Sequence, residues 1–139
     1  MCFRISESFG VSKIYFHETS PSVENRIVKK TARNTLTQIE HETYADFPQI
    51  IEQLKSEGNT IIGIEITDQS VNIQEYNFNA HEKIVLLLGS ERNGIENINL
   101  VDKTVAIPMY GRNSSMNVIH SLSIVLYEVT NQLKSKILA

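Results

Sequence analysis

The sequence predicts one α/β domain with a mostly parallel sheet flanked by helices. Its 139 residues fall within the usual size of a compact domain. Apolar residues make up 41% of the chain, which is enough to form one core. Short β-branched runs alternate with helical patterns, and this alternation is typical of parallel strands joined by helices. We therefore predict a single domain over residues 1–139.

Five runs rich in β-branched and aliphatic residues are the predicted strands. They cover residues 13–16, 35–40, 60–66, 83–88 and 104–107. If these strands are parallel, their carboxyl ends lie at one edge of the sheet. That edge is where open α/β folds bind their ligands.

A helix is predicted between the second and third strands. Asp46 can cap it, Pro48 fits its first turn, and Gly58 can end it. Its predicted core face consists of four apolar residues with helical spacing, namely Phe47, Ile50, Ile51 and Leu54.

A second helix is predicted from near Ser115 to about Leu133. One apolar stripe is predicted to pack on the sheet and contains Val118, Leu122, Val125, Leu126, Val129 and Leu133. Further apolar residues at Ile119, Ile124 and Tyr127 lie outside this stripe and leave room for a subunit contact.

The amino-acid composition excludes some kinds of binding site and limits others. Lys and Arg number 13 against 16 Asp and Glu, so the overall charge does not indicate a nucleic-acid binder, and any such contact must come from a local basic patch. Cys2 is the only cysteine, which excludes an internal disulfide and a multi-cysteine zinc site. The four histidines lack the spacing of metal ligands, so no metal is predicted; they are His17, His41, His81 and His120.

The chain carries no predicted membrane segment. Its longest apolar runs, such as residues 84–88, are far shorter than the ~20 residues that cross a bilayer. The N-terminus lacks the basic and apolar segments of a signal peptide. We expect a soluble protein in the cytoplasm.

Two glycines bracket a polar loop after the fourth predicted strand. The loop reads Gly89-Ser90-Glu91-Arg92-Asn93-Gly94. Gly89 can let a ligand approach the backbone, and Gly94 can adopt a positive φ. The spacing fits neither a P-loop nor a dinucleotide fingerprint. Taken alone, the loop is equally compatible with a simple turn.

A second polar segment follows the fifth predicted strand. It reads I-P-M-Y-G-R-N-S-S-M-N-V over residues 107–118. Ser115 and Asn117 fall at a helix N-terminus, where free N–H groups suit a polar or anionic ligand. Helix capping by Ser114 or Ser115 would explain the same residues.

Together the two segments resemble a known pair of motifs. They are similar to the second and third motifs of SpoU/TrmH RNA methyltransferases, in the SPOUT superfamily. The second motif is matched by the string L-G-S-E-x-N-G-I. The third is matched by I-P-M-x-G-x-x-x-S-[LM]-N-V and the following helix, which contains L-Y-E. Upstream, R-I-S-E-S-F-G-V over residues 4–11 resembles the end of the first motif. That motif's Asn-x-Gly segment and the family's first strand are expected upstream of Met1. G-I-E at residues 63–65 matches the strand before the second motif.

The resemblance implies a trefoil knot in the C-terminal part, a homodimer formed through the knotted region, and bound S-adenosylmethionine (SAM). The residues that would meet the cofactor, largely through backbone groups, are Gly89, Ile107 and Met116. Secondary candidates are Leu88, Glu65, Met109 and Ser115.

The implied reaction is SAM-dependent methyl transfer to a ribose 2′-hydroxyl of tRNA or rRNA. The resemblance assigns substrate activation to Arg4. Because a guanidinium stays protonated at neutral pH, we interpret Arg4 as a clamp on an RNA phosphate, with action as a base as the alternative. Ser115 and Asn117 would orient cofactor and ribose, and Glu91 would fix the second loop. Internal bracing of the loop is the alternative role for Asn117 and Glu91.

Four basic residues at helical spacing would form an RNA-binding face, or a solvated surface, if their segment is helical: Arg26, Lys29, Lys30 and Arg33. Two other functions fit the sequence. One is a catalytically silent RNA-binding or dimerisation module of the same fold. The other is an unrelated α/β protein that binds a nucleotide.

Overall fold

The computed structural model describes residues 2–18, 39–67, 69–89, 94–112 and 116–137. These fall into two compact units, Met1–Phe47 and Pro48–Ala139. The prediction of a single methyltransferase domain over residues 1–139 stays a prediction.

The first unit begins with helix α1 (Cys2–Ser8), which a left-handed glycine terminates. Gly10 has φ 75°. Its amide donates to the carbonyl oxygen of Glu7 (3.1 Å), and the Val11 amide donates to that of Ser6 (2.9 Å). This pair of bonds is a Schellman motif, which satisfies the last carbonyl groups of a helix. The F-G-V segment therefore ends α1 and leads the chain into the next strand.

Two parallel strands follow in this unit, β1 (Lys13–His17) and β2 (Glu40–Tyr44). Lys13 is in register with Glu40. Its ammonium lies 4.0 Å from the Glu40 carboxylate and also pairs with Glu42. The hydrogen bond with Glu42 is the main cause that raises the pKa of Lys13 above its ordinary value.

Of the predicted strand at residues 35–40, only Ile39 and Glu40 can be compared with the structure, and only Glu40 belongs to a strand. The strand begins at Glu40, where the prediction ended it, and Ile39 precedes it as a buried residue. Residues 35–38 lie outside the described part of the chain. Glu40 and Glu42 are poor strand formers by themselves, but Lys13 on β1 pairs with both across the strands.

The second unit carries a four-stranded parallel sheet with strand order β4-β6-β3-β5. In chain order its elements are α2 (Phe47–Ser56, which begins at the unit boundary), β3 (Thr60–Ile64), β4 (Val71–Asn72), β5 (Ile84–Leu88), β6 (Lys103–Ala106) and α3 (Val118–Ile137). Single 3-10 turns occur at Ile73–Glu75, Phe78–Ala80 and Ile98–Leu100. The predicted α/β class with parallel strands is confirmed. The C-terminal trefoil knot stays a prediction.

Helix α2 begins and ends where the sequence predicts. Asp46 immediately precedes it, and Pro48 is in its first turn. Gly58 has φ 92°, its amide donates to the carbonyl oxygen of Lys55, and the Asn59 amide donates to that of Leu54. This pair of bonds is again a Schellman motif. Of the predicted core face, Ile51 and Leu54 are buried, and Phe47 and Ile50 are half-buried.

The main core of this unit joins the sheet to α3. Its fully buried side chains include Ile62 of β3, Val105 of β6 and Val125 of α3, with Phe78 from the connection between β4 and β5. The apolar stripe predicted on the last helix is buried or half-buried, which confirms its packing role.

The predicted start of α3 near Ser115 is wrong, since the helix begins at Val118. The Asn117 side-chain oxygen accepts from the Ile119 amide (2.9 Å), and the Asn117 carbonyl oxygen accepts from Ser121 (2.9 Å). Asn117 is therefore the N-cap residue. The helix continues past the predicted end at Leu133 to Ile137.

None of the helices in the described part of the chain has the length and apolar content needed to cross a membrane. Among the same residues, no group of three or more His, Cys, Asp or Glu side chains is placed to hold a metal ion.

Candidate functional site

Three strand ends of the second unit meet at one edge of its sheet. Ile64 at the end of β3 is in register with Leu88 of β5 and with Val105 of β6. Glu65, Gly89 and Ile107, which follow these strands closely, therefore leave the sheet at the same edge. All three are half-buried. This edge carries the beginnings of both predicted motif loops.

Gly89 and Gly94, at the two ends of the loop after β5, lie in close contact. A Cβ atom built on Gly89 would lie 2.1 Å from the carbonyl carbon of Gly94 and 2.4 Å from the Ile95 nitrogen. Only glycine leaves room for this contact. Gly89 is thus in close contact with the backbone of Gly94. Gly94 has φ 66°, which confirms its predicted positive φ.

Glu65 reaches from β3 to the end of that loop. Its Oε1 accepts from the Ile95 amide at 3.3 Å. A Cβ atom on Gly94 would lie 2.1 Å from the same oxygen. The carboxylate predicted as a secondary cofactor ligand therefore contacts the loop backbone.

A cluster of hydroxyl groups holds the segment after Glu65. The Ser70 hydroxyl donates to the Glu65 carbonyl oxygen (2.5 Å) and accepts from the Thr67 amide (2.9 Å). It also lies 3.1 Å from the Thr104 hydroxyl of β6 and 2.9 Å from that of Thr67. The Glu65 amide donates to the Val105 carbonyl oxygen (3.0 Å), which extends the pairing of β3 with β6.

Sequence analysis missed this cluster. The usable signal was Thr67 and Ser70, hydroxyl residues three apart after a strand, which is typical of a turn closed by a side chain on the backbone. Thr104 gives no such local signal, because it joins them only through the pairing of β3 with β6.

The third motif follows β6 and leads to α3. Ile107, Met109 and Met116 are half-buried, whereas the Tyr110 side chain is 91% exposed. Asn117 caps α3, a role that the sequence suggested for Ser114 or Ser115. Ser115 lies outside the described residues.

Arg4 belongs to the first compact unit. It is exposed on α1, and its carbonyl oxygen accepts from the Ser8 hydroxyl (2.9 Å). Several other predicted residues lie outside the described part of the chain, namely Arg26, Lys29, Lys30, Arg33 and Glu91. Their predicted roles stay predictions.

The model of a family described as the SpoU rRNA Methylase family matches residues 1–127 of the chain. The chain belongs to the SpoU rRNA methylase family. The family resemblance stated from the motifs is thereby confirmed, and the SpoU family uses S-adenosylmethionine.

Solved SpoU structures share the fold of the chain. A TrmH/SpoU tRNA modifying enzyme from A. aeolicus has 26% sequence identity and a TM-score of 0.84, with 96% of this chain and 68% of that chain covered. AviRb from Streptomyces viridochromogenes, solved in complex with AdoMet, has 20% identity and a TM-score of 0.85 over 96% of this chain and 54% of AviRb. A structure concerned with the 2-OH methylation of C/U34 on tRNA has 18% identity and a TM-score of 0.78, and covers 96% of this chain and 88% of that one.

The comparison with curated protein sequences gives no match. The chain spans about two thirds of the A. aeolicus enzyme (68%) and about half of AviRb (54%).

Proposed function

We propose that this protein transfers the methyl group of SAM to a ribose 2′-hydroxyl of tRNA or rRNA. The observation that supports the proposal most is the common sheet edge of β3, β5 and β6. Because Ile64 is in register with both Leu88 and Val105, the two motif loops leave the same end of the sheet, one on each side of β3. That edge is where parallel α/β folds bind their ligands, and membership of the SpoU family agrees with it.

The residues at this edge fit the proposed cofactor. Half-buried side chains at Leu88, Ile107, Met109 and Met116 offer apolar surface for an adenine ring. Gly89 has no side chain to cover its own backbone. We assign cofactor contact to these residues, with Ser115 and Glu65 as further contacts.

Bound SAM would supply a methyl group on a positively charged sulfur, so the tasks of the chain are to align the ribose and to make its 2′-hydroxyl more nucleophilic. Arg4 would bind an RNA phosphate beside the reacting ribose and favour the ionised hydroxyl. Ser115 and Asn117 would orient cofactor and ribose, and Glu91 would fix the second loop. The Asn117 carboxamide has this task in addition to capping α3.

RNA would also meet the basic residues Arg26, Lys29, Lys30 and Arg33, since phosphate contacts supply affinity. A homodimer formed through the knotted C-terminal part belongs to the same proposal. The exposed side chains of Ile124 (40%) and Tyr127 (67%) on α3 support it. Cytoplasmic RNA is the proposed substrate.

The test is methyl transfer from labelled SAM to tRNA and rRNA transcripts. We expect label in RNA, and the modified position should resist alkaline cleavage because a 2′-O-methyl group cannot attack the adjacent phosphate. Arg4→Ala should lower kcat by about 100-fold, while the Kd for SAM stays unchanged. Arg4→Lys should recover part of the rate if the residue acts as a phosphate clamp.

Lys83→Ala is the matched control, because Lys83 is an exposed cation beside the amino end of β5. It should retain the wild-type rate. Absence of SAM binding would contradict the proposal. RNA retention without methyl transfer would instead indicate a silent RNA-binding module.

A further inference from the structure

The chain leaves β3 with little apolar packing to hold it. Glu65 is half-buried, and the side chain of Ile66 is 55% exposed. Burial of side chains therefore stabilises this segment only weakly. The Glu65 amide donates to the Val105 carbonyl oxygen of β6 (3.0 Å), and the Glu65 carbonyl oxygen accepts from the Ser70 hydroxyl (2.5 Å). Hydrogen bonds thus fix both polar groups of the Glu65 backbone.

The Ser70 hydroxyl has one proton, and its contact with Glu65 determines where that proton points. A carbonyl oxygen can only accept, so the proton lies toward Glu65. The Ser70 oxygen is then an acceptor for its other neighbours, which are the Thr67 amide (2.9 Å), the Thr67 hydroxyl (2.9 Å) and the Thr104 hydroxyl (3.1 Å). Because a hydroxyl oxygen has two lone pairs, Ser70 can accept from the amide and from one of these hydroxyls at the same time.

Thr104 makes this arrangement a link between two strands. It belongs to β6, which is the neighbour of β3 in the sheet. Its hydroxyl lies 3.1 Å from that of Ser70 and 3.3 Å from that of Thr67. The Thr67 hydroxyl also accepts from the Gln69 amide (3.2 Å). The segment after β3 is therefore bonded to the strand that leads to Ile107.

Two candidate cofactor residues lie beside this link, since Glu65 follows β3 directly and Ile107 follows β6 directly. We infer that Ser70 is a positioning residue for the cofactor. Its hydroxyl fixes the backbone of Glu65 against β6, so Glu65 and Ile107 are already in place when SAM binds. The inference rests on the proposed function for its ligand. If the backbone of Glu65 had to be ordered on binding, the cost of ordering it would weaken the measured affinity.

Two measurements on the full chain test the inference. The first is hydrogen exchange of the Thr67 amide, followed by NMR without any ligand. Ser70→Ala should speed this exchange by about tenfold or more, because the amide loses its acceptor. Ser70→Thr should retain most of the protection, because its hydroxyl oxygen can still accept.

The second measurement is the Kd for SAM by calorimetry, at a temperature where every variant is folded. We expect Ser70→Ala to raise the Kd about tenfold, and Ser70→Thr to restore most of the affinity. The affinity for RNA, measured without SAM, should stay at the wild-type value. A role in stability alone would lower the free energy of unfolding and leave the Kd of the folded protein unchanged.

Ser56→Ala is the matched control. The Ser56 hydroxyl also donates to a backbone carbonyl oxygen, that of Gln53 (2.6 Å), but it lies at the end of α2. Its loss removes the same kind of hydrogen bond from another part of the unit. The Kd for SAM should therefore stay unchanged in this variant.

Each outcome has a distinct meaning. Unchanged exchange of the Thr67 amide in Ser70→Ala would overturn the hydrogen-bond arrangement. Faster exchange with a wild-type Kd would overturn the role of Ser70 in cofactor binding. A wild-type chain that fails to bind SAM would instead overturn the proposed function, while the exchange result still stands. If Ser70→Ala does not fold, Thr104→Val removes one hydroxyl of the link at nearly the same side-chain size and should shift both readouts the same way by a smaller factor.

Discussion

At the scale of single residues, Gly58 and Gly94 are both positions that require glycine, but for different reasons. Both have a positive φ, 66° at Gly94 and 92° at Gly58. A Cβ atom would meet nothing within 4 Å at Gly58 but would meet Glu65 Oε1 at Gly94. Gly58 is therefore constrained by its backbone alone, and Gly94 by its backbone and a neighbour.

This difference predicts the cost of alanine at each position. Gly58→Ala should lower the free energy of unfolding by about 1 kcal/mol, the usual cost of a left-handed non-glycine residue. Gly94→Ala should cost about 1–3 kcal/mol more, because the new methyl group displaces the Glu65 carboxylate. Urea denaturation monitored by circular dichroism measures both values.

A double-mutant cycle provides the control. Glu65→Ala removes the atom that the new methyl group would meet, so Gly94→Ala should cost less in that background than in the wild type. Equal costs in both backgrounds would show that Glu65 does not limit residue 94.

At the scale of elements, Gln132 ties α3 to the connection between β4 and β5. Its side-chain oxygen accepts from the Phe78 amide (2.9 Å), and its side-chain nitrogen donates to the Tyr76 carbonyl oxygen (2.9 Å). Asn79 donates to the Gln132 carbonyl oxygen (2.8 Å). The side chain of Gln132 thus satisfies two backbone groups, the amide of the buried Phe78 and the carbonyl oxygen of Tyr76.

Gln132→Ala should therefore lower the free energy of unfolding by about 2 kcal/mol, since it removes partners from two backbone groups. Gln132→Glu should cost less, because its carboxylate still accepts from Phe78 although it cannot donate to Tyr76. Thermal and urea unfolding give the values. Gln74→Ala, at an exposed glutamine, is the control and should change stability by less than about 0.5 kcal/mol. If Gln132→Ala and Gln74→Ala lowered the free energy of unfolding by similar amounts, the role of Gln132 as a link between α3 and the β4–β5 connection would be contradicted.

How well an element could be predicted depended on whether its signal was local. The end of α2 was predictable because Gly58 forms the Schellman motif with residues of its own helix. The position of β2 was not, because Glu40 and Glu42 are stabilised in a strand by Lys13, far away in sequence. The two residues of β4 are too few to show periodicity.

At the scale of the whole molecule, one face of α3 is left exposed. His120, Ile124, Tyr127 and Asn131 follow helical spacing and are all exposed. The opposite stripe, which includes Val125 and Val129, packs in the core. This exposed face is expected to become buried when the proposed homodimer forms.

The double substitution Ile124→Ser and Tyr127→Ser should convert the proposed dimer to a monomer, because it removes apolar contact area without touching the core. Sedimentation velocity at several concentrations measures the change. Val71→Ser is the control, since Val71 is also an exposed apolar residue (37%) but lies on β4. A monomeric wild-type protein, or a double variant that remains dimeric, would contradict this prediction.

The candidate site could be predicted from sequence to the extent that its residues lie in contiguous motifs. Gly89 and Ile107 were found because each lies at the end of a predicted strand, within a contiguous segment that resembles a motif of the family. The link between Glu65 and Ile95 could not be found in this way, since it spans 30 residues and depends on the neighbouring positions of β3 and β5.

The shortness of β4 has a consequence for behaviour at high concentration. Within the four-stranded sheet, β4 lies at one edge and contributes only Val71–Asn72. A strand from another molecule needs a row of unpaired N–H and C=O groups to add to a sheet, and a two-residue edge offers very few. This side of the sheet is thus a poor template for intermolecular β-pairing, which limits one route to aggregation without the use of charged residues or proline.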